Sequence, residues 1–224
     1  VAIAQQGLYK IDYAFIKNNI GVDPAGINPS NIRLYGNGGE LLSENNAITP
    51  QDDLIENAIQ VVDGGDGQFN PGDYILFYAK GPVNWVFSDV EEMYVQQIHN
   101  YSSKRYYFLT SDIGSGKEIS AINSPATFAT HQVSSFDEFQ YHERNDTNLI
   151  KSGRIWYGEE FGVLDNIDFN FNFDNLVPSE PVKLKTSVIA RATQSSSYTI
   201  KYNNNTITSI SGITQVIIDP DTTF

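Results

Sequence analysis

The chain has 224 residues, 40% of them apolar and 12% aromatic, which is enough to bury one large or two small cores. Its net charge of -13 sets it against polyanions, so nucleic acid and an anionic membrane surface are poor partners. It has no cysteine, which excludes a disulfide, a thiolate zinc site, an iron–sulfur cluster and a cysteine nucleophile.

Thirteen Tyr and thirteen Phe beside many Asn and Gly favour β structure, because aromatics suit pleated surfaces and Asn and Gly suit turns. Val1-Ala2-Ile3 reads as the end of a strand, and Gln215 to Asp219 reads as another, so the chain is expected to be a piece of a longer protein. No apolar run approaches the roughly 18 residues of a spanning helix. Gly7 to Ile11 alternates and predicts a strand. Asp12 is placed to cap a short helix through Asn19, with Tyr13, Phe15 and Ile16 turned inward. Asn31 to Tyr35 is a second strand, closed by Gly36-Asn37-Gly38-Gly39. Leu54 to Val62 places Ile55, Ile59 and Val61 on one face. Tyr74 to Ala79 is nearly all apolar, which predicts a strand covered on both faces. Tyr106 to Leu109 is a further central strand.

Gly114 to Ser135 is looser, with Gly114-Ser115-Gly116 and Ser124-Pro125. It sets a boundary between a β-rich domain with a short helix, 1–119, and a β-sandwich domain, 120–224, that is cut at its C-terminus. In the second, Ile167, Phe169, Phe171 and Phe173 alternate with Asp168, Asn170, Asn172 and Asp174, which predicts a half-buried strand. Val182 to Ile189, Tyr198 to Tyr202 and Thr206 to Ile213 extend the pattern, with Asn203-Asn204-Asn205 as a turn. The fold class is therefore mainly β: two β-rich domains, the second a β-sandwich, with a few short helices.

Asp63-Gly64-Gly65-Asp66-Gly67 followed by Asn70-Pro71-Gly72-Asp73 invites a calcium reading, with Asp63, Asp66, Asn70 and Asp73 as hard oxygen ligands. The acids do not fall at the alternate positions that an EF-hand loop requires, and a hairpin whose Asp and Gly residues form turns is the competing reading. Calcium is thus a candidate ion, and no cofactor is required. His99, His131 and His142 are far apart in sequence. His142 beside Glu143 and Arg144 has the look of a base, but no Gly-x-Ser-x-Gly accompanies it. Glu91-Glu92 and Glu159-Glu160 are adjacent pairs, which face opposite ways in a strand and make no catalytic pair by themselves. Trp85, Trp156 and Tyr157 are the residues that would stack on a sugar, or else pack in an interface.

Five ordered blocks carry a resemblance. They are Gly7 to Phe15, Asn31 to Gly39, Asp66 to Tyr78 with Gly81-Pro82, Asn100 to Ser102 with Tyr106 to Leu109, and Tyr141 to Arg144 with Lys151 to Phe161. Together they resemble the region ahead of the catalytic domain in PorU-type, gingipain-family cysteine peptidases, which act as the sortase of the type IX secretion system. The resemblance covers most of residues 7–161. It implies an exported parent at the cell surface or outer membrane, with a later caspase-like domain that holds the Cys and His. It carries no catalytic residue onto this chain. The partners it implies are that downstream domain, secreted client proteins and other secretion-system components. The function expected is a non-catalytic module that supports or positions the catalytic domain. The alternative is a carbohydrate- or calcium-binding β-sandwich module of a surface protein.

Overall fold

In the computed structural model, the described residues are 1–213 apart from 39–40, 44, 125–127, 150, 152, 154, 163 and 192–193. The strand expected at Gln215 to Asp219 lies outside them. The chain is mainly β, built from several small antiparallel sheets, and divides into two compact units, Val1–Asp137 and Glu138–Phe224. No helix among the described residues is long and apolar enough to cross a membrane.

The first unit is organised around two three-stranded sheets. In one, β6 (Tyr74–Ala79) lies between β2 (Gly7–Asp12) and β5 (Gln60–Val62), with Tyr9 opposite Phe77 and Ile11 opposite Ile75. In the other, β3 (Arg33–Tyr35) lies between β4 (Glu56–Asn57) and β10 (Phe108–Thr110). A two-residue ladder joins β1 (Ala2–Ile3) to β9 (Arg105–Tyr106). Positions of these strands converge on one core: Ile3, Ile11, Leu34, Ile75 and Phe77 are buried together with Tyr107, which lies between β9 and β10.

Asp12 caps the helical turn as its sequence predicts: its Oδ1 accepts the Phe15 N–H at 2.8 Å. The turn α1 (Tyr13–Phe15) runs into a π-helical stretch, Ile16–Ile20, that ends on Gly21 in the left-handed region. Ile16 is buried and Tyr13 and Phe15 pack against the core.

Three expectations for this unit change. Leu54 to Val62 is two strands in different sheets, and Ile55 is exposed while Ile59 is buried. Between them Ile59 makes a single parallel bridge to Glu118. One face of β6 is covered through Ile75, Phe77 and Ala79, whereas Tyr78 on the other face is exposed. A nearly all-apolar strand is thus buried on one side only. Third, the first unit runs past the expected boundary, while 114–119, expected inside it, is knit into it. Gly116 N–H donates to Ser30 O, Lys117 N–H to the Glu56 carboxylate and Ile119 N–H to Ile59 O. The units meet at Asp137 and Glu138, beyond the boundary expected at 119/120.

One hairpin has no forerunner in the sequence reading: β7 (Val83–Ser88) and β8 (Met93–Ile98) pair in register, with Phe87 edge-on to Tyr94 at 5.4 Å. Its turn runs through Glu92 at φ 49°, without the Asn-Gly signal that marks such turns.

In the second unit, β11 (Ser196–Tyr202) and β12 (Asn205–Ile213) form the expected hairpin, and Asn203 and Asn204 both take positive φ at its tip. The ladders expected at 167–173 and 182–189 are not formed. The described residues therefore give one two-stranded sheet here, with no second sheet of a sandwich facing it. The burial expected from the alternation is realised only in part: Ile167 and Phe173 are half-buried, whereas Phe169 and Phe171 are exposed. A strand also needs a partner's backbone, and here the Asn172 carbonyl accepts the Gln140 side-chain amide instead.

Candidate functional site

The loop Asp63–Asp73 is built from local turns. Asp63 Oδ1 accepts the Gly65 N–H at 3.0 Å, and Asp66 Oδ1 accepts the Gln68 N–H at 2.9 Å. Asp66 Oδ2 accepts the Asn70 side-chain amide at 2.7 Å, and Asp73 Oδ2 accepts the Asn70 N–H. The three Asp candidates thus accept from the loop's own donors, and the fourth, Asn70, is one of those donors. Asp63, Asp66 and Asp73 do not converge, and no cluster of three His, Cys, Asp or Glu suited to a metal occurs among the described residues. What the loop does position is Phe69. Its N–H donates to Ile27 O at 3.2 Å, its ring stacks on Tyr13 at 6.3 Å, and its side chain is fully buried. Asp73 closes the arrangement by accepting the Tyr13 N–H through its carbonyl at 3.1 Å.

The second unit brings together a titratable cluster that no local spacing announces. The segment at 146–147 pairs with Tyr157: Asp146 and Thr147 N–H both donate to Tyr157 O, and Tyr157 N–H donates to Thr147 O at 2.9 Å. Gly158 permits the approach, because a Cβ there would lie 2.7 Å from Arg144 Cβ. The pairing sets His142 against Glu159, with Nε2 2.6 Å from Oε1. A carboxylate only accepts, so Nε2 carries the proton and Nδ1 is the ring's remaining base in the neutral form. Arg144 Nη1 stands 3.8 Å from the same oxygen and Arg144 also pairs with Asp146. The imidazole packs on Phe169 at 4.7 Å between ring centres.

The His142 hydrogen bond holds the Glu159 carboxyl below its usual range, with the nearby Arg144 charge a smaller cause. Replacing His142 with Ala should raise the Glu159 pKa toward the ordinary carboxylate value, and carboxyl-carbon NMR titration reads this directly. A depressed carboxyl adds stability that is present above its unfolded pKa and is lost as pH falls through the folded one. The stability difference between wild type and His142→Ala should therefore shrink on acidification below about pH 4.5. An unmoved Glu159 titration would show that the contact is not populated.

This cluster has the form of a base and its orienting acid. A hydrolase would need a nucleophile on Nδ1, and among the described residues the hydrogen-bond partner of His142 is Glu159 alone. His131 meets its neighbour Thr130, and His99 lies in the first unit. Glu91 and Glu92 sit in the β7–β8 turn, and Glu160 is exposed beside the inward Glu159. Trp156 is 40% exposed and donates its Nε1–H to Gly153 O at 3.2 Å; Tyr157 is half-buried in the bridge. Trp85 is half-buried in β7 of the other unit.

The fold and site define a mainly β chain of two units, whose titratable cluster is held without a cysteine. No protein-family model and no curated protein matches it. Among solved structures it is similar to the crystal structure of dimeric latent PorU from Porphyromonas gingivalis, at 24% identity and a TM-score of 0.40. The match covers 55% of this chain and 10% of that one. The likeness is thus to a small part of a much longer protein.

Proposed function

We propose that this chain is a non-catalytic module of an exported, cell-surface gingipain-like cysteine peptidase, where it supports or positions the catalytic domain in type IX protein secretion. The observation that carries the reading is where the residues of the five resembling blocks go. Ile11, Leu34, Phe69, Ile75, Phe77 and Tyr107 fill the core, and the two stretches of the fifth block, around His142 and Glu159, brace each other. Residues spent on core and bracing are those of a scaffold, and a chain with no cysteine has no thiolate to attack a peptide. The purified chain should cleave no peptide substrate, with or without a cysteine-peptidase inhibitor, and should bind a separately produced catalytic domain of its parent. Inhibitor-sensitive cleavage by the chain alone, or no binding at about 100 μM, would overturn the proposal.

A second reading is favoured by the exposed face of Trp156 and by the oxygen-rich loop at Asp63: a carbohydrate- or calcium-binding module of a surface protein. It requires either a thermal shift on adding calcium, removed by Asp66→Ala, or quenching of Trp156 fluorescence by a polysaccharide. If both are absent, the second reading is discarded.

A further inference from the structure

The sheet of β2, β6 and β5 buries one face and leaves the other open. The buried face carries Ile11, Ile75, Phe77 and Ala79. The pairing fixes what stands on the opposite face: Leu8 opposite Tyr78, Lys10 opposite Leu76, and Asp12 opposite Tyr74, which Val62 of β5 flanks on its other side. Leu8 is 68% exposed and Tyr78 60%, while Leu76, Tyr74 and Val62 are half-buried. Single apolar residues are ordinary on a surface, but five that share one sheet face form a patch. A central strand that is apolar on both sides belongs to sheets that are covered on both sides. β6 has that composition, with Leu8 extending it across to β2.

The charge around the patch lies at one end. Asp12 ends β2, Asp63 follows β5 and Asp73 precedes β6, and the register places these three positions at the same edge of the sheet. The Tyr13 N–H to Asp73 O bond at 3.1 Å ties two of the segments together there. Each carboxylate accepts from an uncharged donor: the N–H of Phe15 for Asp12, of Gly65 for Asp63 and of Asn70 for Asp73. Such bonds hold a carboxylate in place and leave its charge. Lys10 Nζ stands 4.2 Å from the Tyr74 ring centre, so its ammonium is held over the patch.

We infer that the open face of this sheet docks against a protein surface that is apolar at its centre and bordered by Lys or Arg on one side. A stable interface joins a desolvated apolar centre to a polar rim. The partner's rim must be basic where it meets Asp12, Asp63 and Asp73, because like charges across an interface repel. A second copy of this chain fits poorly, since it would bring another net charge of -13 to the face. The inference rests on the reading above, under which the partner is the parent's catalytic domain, and it names the surface that does the binding. Tyr78 is the anchor: tyrosine supplies a large, rigid apolar area and a hydroxyl for the rim.

The test measures, by calorimetry, binding of the intact chain to the separately produced catalytic domain of its parent. The double variant Leu8→Thr, Tyr78→Thr should weaken binding at least about tenfold, the loss expected from truncating an anchor. Threonine keeps strand propensity and both positions are exposed, so the unfolding midpoint should match that of wild type. Asp63→Asn keeps the acceptor for the Gly65 N–H and should weaken binding about threefold at low salt, with a flatter salt dependence. Ile122→Ser, at a residue 92% exposed and outside the sheet, should leave Kd within about twofold. No binding by the wild-type chain at about 100 μM would overturn the reading and the inference together. Undiminished binding by the double variant, or an equal loss in Ile122→Ser, would overturn the inference alone. Self-association of the chain that the double variant abolishes would place a second copy on the face and overturn the choice of partner.

Discussion

Phe69→Ala should destabilise the first unit by about 3–5 kcal/mol, the range for emptying a large aromatic from a packed interior. Phe69 has no exposed surface, and its ring lies on Tyr13 while its backbone is tied to Ile27. Neighbours fixed by backbone hydrogen bonds cannot collapse into the vacated space, which places the cost at the upper end of that range. A domain has about 5–15 kcal/mol in total, so the loss is a large share of it. Trp85 lies in the first unit and Trp156 in the second. In a Trp156→Phe background, fluorescence in denaturant therefore follows the first unit alone. The midpoint should fall with little change in slope. Phe69→Leu, which keeps most of the volume, should cost no more than about 1.5 kcal/mol. A loss below about 0.5 kcal/mol for Phe69→Ala would mean that the loop does not seat this ring in the core.

The same loop shows how far the sequence could be read. Its Asp and Gly residues announce turns, and the apolar run after it announces β6, because both signals are local. The cap at Asp12 and the Asn-rich hairpin tip were legible for the same reason. That Phe69 is a plug was not legible. It lies between Gln68 and Asn70 with no periodicity, and only the path of the chain past Ile27 and Tyr13 gives it a place. The strand expected at 167–173 went the other way. Its alternation is clear, but alternation cannot say whether a second backbone will arrive to pair with it.

The cluster at His142 was half legible. His142 and Glu159 were each singled out, but for separate reasons and with different partners in view. Their contact depends on the short pairing of Thr147 with Tyr157 and on Gly158 letting two segments touch. A signal existed in the Gly between the aromatic and the acids, although a single Gly has many uses. Cavities and cross-chain ion pairs are products of tertiary packing, and a single sequence encodes them only through that packing.

Gly116→Ala should cost about 3 kcal/mol, from overpacking together with lost hydrogen bonds. A Cβ on residue 116 would lie 2.2 Å from the Ile32 carbonyl oxygen and 3.1 Å from its carbonyl carbon. These are backbone atoms of the segment leading into β3, so no side chain can swing aside. The loop must withdraw, and with it the Gly116–Ser30 bond at 2.8 Å and the bonds from Arg33 to Gly114 O at 3.1 Å and Ser115 O at 2.6 Å. The Ile59–Lys117 bond follows directly along the chain. Gly114→Ala is the comparison that separates space from backbone conformation. Gly114 has φ +87°, yet a Cβ there would meet nothing nearer than Arg33 Nη2 at 3.9 Å. It should therefore carry the strain of a left-handed alanine alone, about 1–2 kcal/mol. Thermal or denaturant unfolding of the two variants should rank Gly116→Ala as the less stable. The reverse order would mean that the 114–119 segment is held by its turn conformation and not by close contact with β3.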